Sequence, residues 1–144
     1  MFARILASLT ADAPAPLDKD DSQLALAALM VRIARADGSY DADEVAMIDQ
    51  MLVQHFGLSA SAAVAKRIEA EAVETEAPDT VRFTRAIKEA VDYEDRFGVV
   101  KALWSVVLAD GVRDDDEDAQ MRLISNLLGI NDRDSALARQ AAER

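Results

Sequence analysis

The run from Leu24 to Ala36, LALAALMVRIARA, has no polar face. Only Arg32 and Arg35 interrupt it. Wound into a helix, such a segment turns apolar side chains to every side, so other elements must surround it. The chain does the same again from Phe97 to Ala109, FGVVKALWSVVLA. Two helices of this kind within 144 residues demand a fold that buries both at its centre. With 5 Gly, 3 Pro and 5% aromatic residues, the composition favours helices over a β-sandwich. A chain of this length is one domain and buries most of its apolar surface without crosslinks. It has no cysteine, which excludes disulfide scaffolds, thiolate zinc sites and Cys nucleophiles.

Each apolar run leads into an acidic turn. The first reads ADGSYDADE, Ala36 to Glu44, and the second reads ADGVRDDDE, Ala109 to Glu117. After each turn the apolar residues recur at helical spacing. Val45, Ile48, Met51, Leu52 and Phe56 form one stripe; Met121, Leu123, Ile124, Leu127 and Leu128 form the other. Each amphipathic helix closes on a Gly followed by an apolar residue, Gly57-Leu58 and Gly129-Ile130. Gly38 and Gly111 are expected to cap the two apolar helices. Between the units, Ser59 opens a helix with Val64, Ile68 and Ala72 inward. Pro78 breaks the chain, and Asp79 begins a helix with Phe83, Thr84, Ile87 and Val91 inward and Arg82, Arg85 and Lys88 outward. Asp92-Tyr93-Glu94-Asp95 has the acids of a helix start, and Asn131 or Asp132 opens a final, more polar helix. The expected fold is all-α: a single-domain bundle of about seven helices, with two helical hairpins related by a pseudo-twofold axis. Residues 1–21 form a short helix, with Phe2, Ile5, Leu6 and Leu9 on one face, and a linker with Pro14 and Pro16. Residues 22–130 form the domain, and 131–144 the last helix.

The balance of 16 basic against 27 acidic residues, a net charge of −11, disfavours nucleic-acid and anionic membrane partners. It suits cations or basic protein patches, and it also simply keeps a protein soluble. The apolar start MFARILASLT is interrupted by Arg4 and is short for a secretory leader. No stretch approaches a membrane span, and the cytoplasm is the expected compartment.

The acidic turns support two readings. Asp41 to Glu44 and Asp114 to Glu117 have the spacing of a capping box, in which each side chain accepts from the other residue's backbone N–H. That accounts for four of the acids. Asp37 and Asp110, placed before the Gly that is expected to end each apolar helix, face the negative end of its dipole. An Asx-turn would occupy them locally. Otherwise Asp37, Asp41 and Glu44, and likewise Asp110, Asp114 and Glu117, converge as hard oxygen donors for a divalent cation such as Ca²⁺ or Mg²⁺. The comparison with an EF-hand limits the affinity. With Asp37 and Glu44 at the fifth and last loop positions, Ile33 and Arg35 fall where ligands are needed, and Val106 and Leu108 do so in the second copy. The site is therefore weak, or completed by both copies of the turn or by a partner.

On the doubled ADG-x-x-x-x-x-E pattern and the intervening RFTRAIKEAVDYEDR, Arg82 to Arg96, the chain resembles the TerB family of bacterial tellurite resistance, from about Ser22 to Ile130. The resemblance implies an all-helical cytoplasmic domain in stress-response complexes. Its acidic positions, implied to contact metal, fall on Asp37, Asp41, Glu44, Asp110, Asp114 and Glu117. Related domains occur within a J-domain co-chaperone, which implies an interaction module. Arg113 stands where the first copy has Tyr40, so the two turns are not equivalent.

Several other residues read more simply. His55, the one histidine, is expected to make a local hydrogen bond at a helix end. Trp104 belongs to the core, and Tyr40 closes its turn against the core. Ser22 sits in an Asp-Ser-Gln-Leu stretch that Gln23 distinguishes from an acyl-carrier motif, and it is expected to be an N-cap. Three functions are then open. One is a non-enzymatic cation- or partner-binding module. Another is a ligand-free interaction scaffold. The third is a hydrolase with paired carboxylates, which lacks an evident nucleophile or His base.

Overall fold

The computed structural model describes residues 19–35, 40–76, 84, 85, 87, 88, 92–109 and 115–143, the side chains of 19–22 and 115–117 excepted. Among them are six helices: α1 (Lys19–Ala34), α2 (Ala42–Phe56), α3 (Ala60–Glu76), α4 (Tyr93–Val107), α5 (Asp115–Leu127) and α6 (Asp132–Ala142). No strand occurs among the described residues. Thr84, Arg85, Ile87 and Lys88 are also helical, with Thr84 and Ile87 buried and Arg85 and Lys88 exposed, as their spacing predicts. The expected N-terminal helix and the rest of the segment after Pro78 lie outside the described residues.

The two apolar runs are the centre of the molecule. From Leu24 to Ala34 every residue except Arg32 is buried, and α4 buries Val99, Val100, Ala102, Leu103, Trp104, Val106 and Val107. These two helices pack on each other. Around them α1 packs on α2 and α3, with α2 on α3; α4 packs on α5 and α6, with α5 on α6. Two cross contacts complete the arrangement, α2 against α4 and α5 against α1. Exchanging α1, α2 and α3 for α4, α5 and α6 leaves this set of packed pairs unchanged.

Local chemistry sets most boundaries. Asp41 is the N-cap of α2 with extended backbone, and Gly57 ends that helix at φ 68° with its N–H on the Val53 carbonyl. Ser59 Oγ accepts from Ala62 N at 3.1 Å, opening α3. Asn131 Oδ1 accepts from Asp134 N at 2.8 Å, opening α6. Gly129, φ 79°, ends α5: its N–H donates to the Asn126 carbonyl while Ile130 N donates to Ser125 O at 2.8 Å, the double bond of a Schellman ending.

Four expectations are corrected. First, α1 starts at Lys19, so Ser22 lies inside the helix rather than capping it. The described helix already includes Lys19, Asp20 and Asp21. Second, α1 ends at Ala34 and α4 at Val107, four residues before Gly38 and Gly111 respectively. Those glycines lie outside the described residues. The Leu108 and Ala109 amides close α4 onto the Trp104 and Val106 carbonyls. Third, α3 is turned the other way. Its buried residues are Ala63, Ala70 and Val73, whereas Val64, Ile68 and Ala72 are exposed. Small residues at 63 and 70 let α3 approach α1, which is itself rich in Ala. Fourth, Leu123 of α5 is exposed rather than inward, while Met121, Ile124 and Leu128 are buried.

Candidate functional site

The first acidic turn is held from both sides. Asp41 Oδ1 accepts from Glu44 N at 2.9 Å, and Glu44 Oε1 accepts from Asp41 N at 3.4 Å. This is the reciprocal capping box that the spacing predicts. It fixes two carboxylates one helical turn apart where the positive end of the α2 dipole favours them. Glu44 is only 1% exposed, stacked in line with the buried Ile48 and Leu52. No other hydrogen bond or ion pair engages Asp41 Oδ2 among the described residues.

Behind the turn lies a clasp of charged side chains that spacing alone did not reveal. Arg67 on α3 donates to Asp49 Oδ1 of α2 at 2.6 Å and to Glu71 Oε2 at 3.0 Å. The Tyr40 hydroxyl, from within the turn, donates to the same Glu71 oxygen at 2.7 Å. Arg35, just past the end of α1, lies over the Tyr40 ring at 5.0 Å and reaches Glu74 Oε1 and Thr75 Oγ1, each at 3.2 Å. Arg32 donates to the Glu74 carbonyl at 3.2 Å. The chain on both sides of residues 36–39 is thus tied to α3. Burial alone would lower the Arg67 pKa, but its hydrogen bonds to Asp49 and Glu71 and their charges hold it above its ordinary value. Burial first, then the bond to Glu71, pushes the Tyr40 phenol well above the usual tyrosine range. The available sequence signal was Arg67 and Glu71 at i,i+4 beside alanines seven apart, Ala63 and Ala70.

Of the six acidic candidates, the structure brings Asp41 and Glu44 together. Asp37, Asp110 and Asp114 lie outside the described residues, as does the side chain of Glu117. Among the described residues, no three His, Cys, Asp or Glu side chains are grouped so as to hold a metal ion.

Trp104 is core, as expected; its Nε1 donates to Ser135 Oγ at 3.1 Å, which in turn lies 3.2 Å from Ser125 Oγ. Tyr40 packs against the core. His55 makes no hydrogen bond among the described residues, contrary to expectation. Its ring packs edge-on to Phe56 at 4.9 Å, and its Cε1 approaches Gly98. Burial lowers its pKa and Lys101 adds to this, against an opposing pull from Asp95.

A family model described as "Tellurite resistance protein TerB" matches residues 23–140, most of the chain. The chain belongs to the TerB family. The match runs past Ile130 to take in most of α6, which packs on α4 as α3 packs on α1. Comparison with curated proteins and with solved structures found no match. Among the described residues, no helix of this TerB-family chain is long and apolar enough to cross a membrane.

Proposed function

We propose that this TerB-family protein acts by binding rather than catalysis. Its acidic turns offer carboxylate oxygens to a divalent cation, Ca²⁺ or Mg²⁺, weakly, or to a basic protein surface, within a stress-response assembly. The observation supporting this is the reciprocal Asp41–Glu44 pair. It holds two hard donors in place and engages Asp41 through Oδ1 alone. The donor chemistry fits these ions and not softer metals. Calcium takes about 6–8 oxygens, so two carboxylates already bonded to backbone amides supply a minor share, and the rest must come from water, Asp37 or a partner. A bound ion would supply charge neutralisation and a bridge to a second acidic group. Titration of Ca²⁺, Mg²⁺ and Mn²⁺ followed by amide NMR tests this. Shifts confined to residues around Gly38–Glu44 and Gly111–Glu117 are expected at millimolar ion; no movement there defeats the cation reading.

A second reading, a ligand-free interaction scaffold, draws on the same bonds. The capping box satisfies the first turn of α2 without any ion. Asp37→Asn combined with Asp110→Asn separates the two. Retained partners with a lost ion response favour the cation module, whereas an unchanged ion response removes those aspartates from it.

A further inference from the structure

The family match begins at residue 23, so residues 1–18 precede it, and they lie outside the described residues. Their sequence sets Phe2, Ile5, Leu6 and Leu9 at the spacing of one helical face, with Pro14 and Pro16 between them and α1. Isolated helices shorter than about 12–15 residues are marginal in water, so a short amphipathic stretch needs a surface to pack on. The structure offers one on the side of α3 away from α1. There Val64 is 37% and Ile68 55% exposed, with exposed Ala65 and Ala72 beside them. Single exposed apolar residues are ordinary, but these share one helical face and make a patch.

Two observations bring the segment to this patch. The first is the course of α1. It runs beside α3 in the same direction: Lys66 Nζ donates to Gln23 Oε1 at 3.3 Å toward their starts, while Arg32 and Arg35 reach Glu74 toward their ends. The chain entering α1 at Lys19 therefore arrives beside the first turns of α3. Residues 10–18 span at most about 30 Å, and a helix with its side chains is about 10–12 Å across, so residues 2–9 can pass round to the outer side.

The second is the exchange of α1, α2 and α3 with α4, α5 and α6, which preserves the packed pairs. The residues leading into α4 pack beside the junction of α5 and α6: Thr84 and Ile87 are buried, and Lys88 lies against Gly129. The same exchange sets the residues leading into α1 beside the junction of α2 and α3, at Gly57 and the first turns of α3. Charge agrees with this placement. Residues 1–11 hold Arg4 and no acid, in a chain of net charge −11. Exposed Glu69 and Glu76 border the patch on one side, and Arg67 and Glu71, bonded to each other, on the other.

We propose that residues 2–9 fold back on their own chain and seat Phe2, Ile5, Leu6 and Leu9 on the α3 patch.

Paramagnetic broadening in the full chain tests this. The protein has no cysteine, so one introduced cysteine carries the spin label alone. A label at Glu69→Cys, beside the patch, should broaden the amide signals of residues 2–9. A label at Arg133→Cys should leave them sharp, because α6 packs on α4 and α5. Adding Leu6→Asp or Ile68→Asp should abolish the broadening and speed amide exchange of residues 3–9 about tenfold or more. Ile68 is exposed, so circular dichroism should stay at the wild-type value and separate a lost contact from a lost fold. Sharp signals beside the Glu69→Cys label overturn the proposal, as does broadening that Ile68→Asp leaves intact or that the Arg133→Cys label matches. A mixture with the spin label and the isotope label on different chains should show no broadening. Broadening there would put the segment on a second copy and overturn the proposal too.

Discussion

At Asp41 the question is whether charge or only an acceptor is needed. The cap bond from Glu44 N requires one side-chain oxygen, which asparagine supplies as well as aspartate does. Asp41→Ala should cost about 1 kcal/mol in urea denaturation, while Asp41→Asn should cost only a few tenths if capping is its whole role. An Asn variant equally stable but blind to Ca²⁺ or Mg²⁺ would assign the charge to cation binding. Beside it, Tyr40 has a pH signature. Its pKa is raised in the folded state, so the fold binds a proton that the unfolded chain releases above the ordinary tyrosine value of about 10. The stability from this group is complete below that value and is lost as pH climbs beyond it. Tyr40→Phe should flatten that part of the alkaline stability curve, read by denaturation at stepped pH. The cap was legible in the sequence because its spacing is local. The Tyr40–Glu71–Arg67 clasp was not, because its partners come from separate elements and depend on how α3 is turned.

The turning of α3 shows why element faces are harder to read than element existence. Val64, Ile68 and Ala72 form a plausible inward stripe by period, yet the helix buries Ala63, Ala70 and Val73. Backbone proximity to α1 outweighed side-chain bulk, and Arg67 and Glu71 gained ionic partners at that margin. Helix endings were legible where glycine carries the turn. Gly57 and Gly129 both have left-handed backbone, but their surroundings differ. A Cβ on Gly57 meets nothing within 4 Å, whereas on Gly129 it comes within 2.9 Å of Arg96 Nη1 and 3.3 Å of Lys88 Cε. Arg96 is not free to retreat, because Nη1 donates to the Leu128 carbonyl at 2.6 Å and its guanidinium lies over the Tyr93 ring. Gly57→Ala should therefore cost about 1–2 kcal/mol for its backbone alone. Gly129→Ala should cost more, and thermal denaturation of the two variants side by side checks the order.

Over the whole molecule, the preserved set of packed pairs means that neither three-helix set has a core of its own. The apolar run of α1 is covered by α2 and α3 on its own side and by α4 and α5 on the other, and α4 is covered reciprocally. Dividing the molecule between the sets would expose the broad apolar surfaces of α1 and α4. The two halves should consequently unfold as one unit. Leu29, fully buried in α1, is a suitable point to test this, because Trp104 on α4 reports from the other half. Leu29→Ala removes buried methyl groups and should cost about 2–5 kcal/mol, depending on how far the cavity collapses. If the core is shared, Trp104 fluorescence and far-ultraviolet circular dichroism should shift to the same lower urea midpoint, with coincident curves. A Trp104 transition left at its wild-type midpoint while the helical signal falls earlier would mean that the second set holds together without the first. The central position of the two apolar helices would then not be what joins the halves.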